Sequence, residues 1–166
     1  MPQAMLATLA LLLGALYSMQ RQRAIFDGQM RMVENEMEML ATSVAKDRVE
    51  LIGTMSFDHA TRDALRISAA SQLTAAANFR NETAEDDDLD DFHGSADILS
   101  RVVGGQTFTF RASASVAYVS DANGVTVSAT QTRTKQVTVW VSGITIPMRD
   151  SVRLQQTFTC GSACNW

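Results

Sequence analysis

Residues 26–55 read FDGQMRMVENEMEMLATSVAKDRVELIGTM, and the spacing of their apolar side chains decides the fold. Phe26, Met30, Val33, Met37, Leu40 and Val44 recur at alternating intervals of four and three. Leu51 and Met55 continue the row after one slot filled by Asp47 or Arg48. That period belongs to an amphipathic helix with one apolar stripe. Arg31, Glu34, Glu36, Glu38, Lys46, Arg48 and Glu50 fall mostly on the other side. Gly28 weakens the pattern from inside, and Gly53 offers a stop.

Toward the N terminus the stripe widens until it covers every face. Residues 1–20, MPQAMLATLALLLGALYSMQ, hold no charged side chain, and charge begins abruptly at Arg21 and Arg23. Residues 4–52 therefore predict one helix about 75 Å long at 1.5 Å per residue. It is apolar all round over 1–24 and one-sided over 25–55. A bilayer span takes about 20 mostly apolar residues, a length reached only by counting residues 1–3 and Gln20. A cleaved signal peptide fits poorly, because no Lys or Arg precedes the apolar run and no small-x-small site follows Leu16. Arg21 and Arg23 on the C-terminal flank would hold the rest of the chain in the cytoplasm. The remainder reads as extracellular, and a short basic leader removed ahead of Met1 reconciles the two. A membrane helix followed by an independent coiled-coil stalk is the other reading. Methionines along the helix (Met5, Met19, Met30, Met32, Met37, Met39) suit adaptable packing.

Toward the C terminus the period changes to two. Residues 107–116 alternate and remain strand-like to Val119, Asp121-Ala122-Asn123-Gly124 is a hairpin turn signal, and Val125–Thr130 is the return strand. Lys135–Ser142 and Ser151–Thr159 complete an antiparallel meander over 107–160 with one buried face. The helix stripe is the natural cover for that face, so the sequence predicts an α+β fold: a long N-terminal helix packed on a C-terminal antiparallel sheet. In domain terms this is an assembly or transmembrane helix, 1–24, and a head, 25–166.

Two segments lie between helix and sheet. Residues 58–79 give a weak helical or mixed signal with Ala60, Ala64, Ile67 and Ala70 on one side, and Asn81-Glu82-Thr83 fits a glycosylation sequon. Residues 85–94, EDDDLDDFHG, are acidic at every position from Glu85 to Asp91 except Leu89. Such a run is extended unless a cation or backbone amides neutralise it. Asp86, Asp87, Asp88, Asp90 and Asp91 could supply the hard oxygens that Ca²⁺ takes, although the spacing is not that of an EF-hand loop. The alternative is a solvated acidic loop whose Asp side chains cap its own turns.

Cys160 and Cys164, within the last seven residues, suit a small disulfide loop in an oxidising compartment. Free thiols are the alternative, and a metal would need ligands that His59 and His93 are not placed to give. A net charge of −4 with scattered Lys and Arg argues against nucleic acid as a partner. No nucleophile–base pair or phosphate loop is legible, which points away from an enzyme.

An apolar helix running directly into an amphipathic half, followed by a β head with C-terminal cysteines, resembles the type IV pilins and pseudopilins. Met1 fits the family's first residue, and Gly14 stands where a helix-breaking residue is common. Met5 departs from the usual glutamate at the fifth position, Pro2 is unusual, and Gln22 stands where many pilins have proline. The resemblance implies an extracellular filament of identical subunits, held in the inner membrane before assembly by the pilus machinery. Polymerisation would run through Met1, Met5, Leu6, Leu9, Leu12, Leu13, Gly14 and Leu16. Some pilin-like proteins bind calcium in Asp-rich head loops, and Asp87–Phe92 is similar to such a segment. From another functional class comes a single-pass anchored β-domain protein that binds a ligand or an envelope partner.

Overall fold

The computed structural model describes residues 2–62, 67–80, 86–120, 125–145, 148, 150–162, 164 and 166; for residues 2–4, 7, 8 and 10 only the helical backbone is described. The chain divides into two compact units, 1–38 and 39–166.

Helix α1 runs unbroken over Pro2–Gly53, through both Gly14 and Gly28. Its Leu, Met, Ala, Glu and Arg residues are strong helix formers, and no run of β-branched residues interrupts them. In the first unit the large apolar side chains from Leu6 to Val33 are exposed: Leu12 retains 62% of its accessible surface and Phe26 retains 63%. Among the described residues no helix is long and apolar enough to cross a membrane. The transmembrane expectation for 1–24 is thus not met by the described residues. Arg21 and Arg23 close the apolar run on one side, and several side chains of its first ten residues lie outside the described set.

In the second unit the helix face that meets the sheet coincides with the expected row only at Val44. Ala41, Val44, Ala45, Val49 and Ile52 are buried, whereas Leu40 and Met55 are half-buried and Leu51 is exposed. The contact is made by small and β-branched residues, Ala41 and Ala45 beside Val44, Val49 and Ile52. The large-residue row of Leu40, Leu51 and Met55 is rotated toward its rim. Burying Val44, Val49 and Ile52 stabilises the unit by about 1.5–3 kcal/mol each. At the last helical position, a Cβ on Gly53 would stand 2.7 Å from Cε1 of Phe158, so glycine both ends the helix and admits that ring. Thr54 then donates its amide and hydroxyl to the Leu51 carbonyl, and Met55 its amide to Ile52, satisfying carbonyls orphaned at the helix end.

The sheet has five antiparallel strands: β1 Ala96–Val103, β2 Gln106–Ser120, β3 Thr126–Val127, β4 Thr134–Gly143 and β5 Val152–Thr159. The main order is β1-β2-β4-β5, with β3 paired to the end of β2. The expected meander is present but begins earlier, at β1. That strand is announced by Gly104-Gly105, both at positive φ, which form a two-residue hairpin between Val103 and Gln106. The return strand is shorter than 125–130, and its turn at 121–124 lies outside the described residues. On the covered face Ala112 stands opposite Val141, Ala114 opposite Val139 and Val116 opposite Val137. All six are buried.

The 58–79 connector is mixed rather than helical throughout. It contains α2, His59–Arg62, and 3-10 turns at 70–72 and 76–78. Ala64 and the sequon at 81–83 lie outside the described residues.

Candidate functional site

The phase that buries Val137, Val139 and Val141 also buries Lys135, which has no solvent exposure. An ammonium in such a place needs partners, since an unpaired buried charge is very costly. All three of its donors are used: Nζ donates to the Phe57 carbonyl at 2.7 Å, to Asp58 Oδ2 at 2.9 Å and to Asp90 Oδ1 at 2.5 Å. The rings of Phe57, Phe79 and Tyr118 surround it, with centroids 4.7, 5.3 and 5.2 Å from Nζ. Three aromatic faces and two carboxylates thus enclose one cation.

Each acid is delivered by a separate element. Asp58 follows the end of α1 by five residues. It accepts from the amides of Ala60 and Thr74 and from the Thr74 hydroxyl, so its position is fixed from several sides. Tyr118 donates its hydroxyl to the Thr74 carbonyl at 2.8 Å and stands 3.3 Å from Asp58 Oδ2. Burial and the nearby charges of Asp58, Asp90 and Asp88 push the Tyr118 phenol well above its ordinary value, so it remains a donor. Asp90 comes from the acidic turn, which is laced to the chain after the helix: Leu89 donates its amide to the Ser56 carbonyl, and Ser56 and Asp88 form a parallel bridge.

That turn is not a solvated loop. Asp88, Asp90 and Asp91 are buried, at 2, 2 and 5% exposure. The expected capping by Asp side chains is present. Asp88 Oδ1 accepts the amides of Asp90 and Asp91, and Asp91 Oδ2 accepts those of Asp87 and Asp88. Such bonds substitute for the cation that like-charge repulsion would otherwise require. Burial raises the Asp88 carboxyl from its ordinary 3.8 to about 7, helped by a hydrogen bond with Asp90 and by the charges of Asp90 and Asp91, while Lys135 opposes the shift. Phe92, at the end of the turn, is buried beneath the Arg48 guanidinium, 5.1 Å from the ring centroid.

The five aspartates proposed as calcium ligands therefore go different ways. Asp86 is exposed, Asp87 pairs with Arg62, Asp90 with Lys135, and Asp88 and Asp91 hold backbone amides. Among the described residues one group could hold a metal ion, His59 with Asp87 and Asp88. His59 Nδ1 lies 3.9 Å from Asp87 Oδ1. An imidazole with two carboxylates is a donor set for a transition metal rather than for calcium. Beside it, an open polar cleft is lined by His59, Gln72, Asn78 and Gln131 among others.

Cys160 and Cys164 form a disulfide, with Cα atoms 5.7 Å apart. The Cys160 amide donates to the Arg133 carbonyl, and the Arg133 guanidinium donates to the Cys164 carbonyl. Of the residues expected to polymerise, Met5, Leu6, Leu9, Leu12, Leu13 and Leu16 are exposed, Gly14 has no atom within 4 Å of a would-be Cβ, and Met1 lies outside the described residues.

Sequence reading missed Asp58, Tyr118 and Lys135. A signal for the last was present: Lys135 occupies the same strand phase as three valines, where a surface lysine does not belong. No protein-family model matches the chain, and no curated protein or solved structure matches it.

Proposed function

We propose that this chain is a structural subunit of a pilus-like extracellular filament, polymerising through the N-terminal part of α1 and displaying its β head outside. The observation that carries this reading is the exposure of large apolar side chains along the first unit, including Leu6, Leu9, Leu12, Leu13, Leu16 and Phe26. Isolated exposed leucines are ordinary, but a continuous apolar helix surface marks an interaction site. Identical helices are its best-matched occupant. Each copy presents the same chemistry, and packing many copies buries every face of a segment that is apolar all round. The disulfide supports an oxidising, extracellular setting for the head. Residence of the same segment in a bilayer before assembly belongs to this proposal.

Electron microscopy of the purified full chain tests it. Ordered filaments with residues 5–33 at the axis are the expected result. A detergent-solubilised monomer under all assembly conditions would instead leave the anchored, partner-binding reading.

A further inference from the structure

We propose that the Lys135 ε-amino group and the Asp90 side-chain carboxyl condense to an intramolecular amide that joins β4 to the acidic turn, with Asp58 accepting the proton that Nζ must lose. This inference does not rest on the filament reading.

The reacting atoms are already in contact. Nζ lies 2.5 Å from Asp90 Oδ1, and the two side chains show 0 and 3% exposure although 45 residues separate them in sequence. Both are held on paired backbone: Lys135 opposite Tyr118 in the sheet, and Asp90 on a turn tied to Ser56 and capped by its own aspartates. Fixing an amine against a carboxyl in this way removes the entropic cost of a bimolecular encounter. Water, which drives amide hydrolysis in solution, is kept out by the rings of Phe57, Phe79 and Tyr118.

A neighbouring acid supplies the proton transfers. Asp58 Oδ2 is 2.9 Å from Nζ, and donors from Ala60 and Thr74 keep its carboxylate in place. It takes one proton from the ammonium, and the freed lone pair attacks Cγ of Asp90. Asp58 hands that proton to an Asp90 oxygen, and the nitrogen's second proton follows through the same carboxylate, so the oxygen leaves Cγ as water and Asp58 ends as the carboxylate it began as. An ammonium and a carboxylate become one amide and one water, with no oxidant or other co-reactant. The step also removes two charges from a dry interior where each is costly.

Intact mass spectrometry of the purified full chain under reducing conditions is the test. The wild type is expected to be lighter than its sequence by the mass of one water. The K135R variant keeps a cation but lacks the nucleophile, and is expected to have its full mass. Trypsin should fail to cleave at Lys135 and should release a branched peptide joining residues 81–101 to 134–149. D58N is expected to accumulate the product more slowly than wild type during refolding. A wild-type chain of full mass that is cleaved at Lys135 overturns the proposal. So does a lost water that maps to a linear 81–101 peptide, which would be a cyclised aspartate. A D58N chain that cross-links as fast as wild type overturns the role given to Asp58.

Discussion

Tyr118 and Lys135 stand directly opposite one another across the β2–β4 ladder, both buried, and the phenol ring packs beside the amine while its hydroxyl reaches Thr74. The pair places a polar cluster at the end of a covered face that is otherwise valine and alanine. Y118F removes the hydroxyl but keeps the ring, leaving the Thr74 carbonyl without that donor. A loss of about 1–3 kcal/mol is expected. Urea unfolding with an unchanged slope and a lowered midpoint would verify it; an unchanged midpoint would show that the hydroxyl contributes nothing net.

Asp88 makes stability depend on pH in an unusual direction for a carboxylate. Its acid form is favoured in the fold, with a value raised from 3.8 to about 7 by burial and by Asp90 and Asp91. The folded state therefore binds more protons than the unfolded chain between those values. Its contribution is fully present below about pH 4 and is lost as the pH rises through about 7. D88N stays neutral and retains an oxygen for the amides of Asp90 and Asp91. In chains whose Lys135 and Asp90 are not yet joined, the wild type should lose stability relative to D88N from pH 5 to 8. Parallel denaturant midpoints for the two proteins across that range would contradict the assignment.

The Cys160–Cys164 bridge closes a very short loop, with a sequence separation of 4. The chain-entropy estimate for so short a loop is about 2 kcal/mol. Replacing both cysteines with serine should lower the melting temperature by that equivalent, and reductant should do the same to wild type but not to the double variant. Equal melting curves for all three samples would mean that Arg133 alone holds the tail.

Calcium is expected to leave head stability unchanged. Asp87 carries Arg62, Asp90 carries Lys135, and Asp88 and Asp91 accept backbone amides, so each of these carboxylates is already engaged through at least one oxygen. Thermal melts with chelator and with added Ca²⁺ check this. A rise of several degrees that saturates with Ca²⁺ would show that the turn rearranges around the ion.

L12K places a charge on the apolar helix surface. Burying an unpaired ammonium among packed apolar helices is strongly unfavourable, so filaments should be lost while the melting temperature of the 39–166 unit stays as in wild type. Normal filaments from L12K would remove Leu12 from the axis.

How much of this was legible in the sequence depends on how local the signal is. The helix from Pro2 to Gly53 and strands β2, β4 and β5 follow from periodicity, which needs only near neighbours. Of the expected row Met37 and Val44 are buried, but Leu40, Leu51 and Met55 give way on the covered side to Ala41, Ala45 and Val49. Periodicity states that one side of a helix is apolar, not which of two neighbouring rows meets the sheet. The polar cluster was least legible. Asp58, Asp90 and Lys135 are separated by up to 77 residues, and only the β2–β4 register and the Ser56–Asp88 bridge bring them together. Read locally, the aspartates looked like surface charge and Lys135 like an ordinary strand residue.

The position of Asp58 also has a mechanical meaning. A pull along α1 leaves that helix at Gly53, and five residues later the chain meets the anchorage of Asp58 and the Phe57 carbonyl to Lys135. Lys135 belongs to β4, a strand flanked on both sides by β2 and β5. Load would therefore reach an interior strand, where several rows of hydrogen bonds share it, before it could peel an edge strand away. Within the 39–166 unit, the link from helix to sheet would be guarded at the first residues able to guard it.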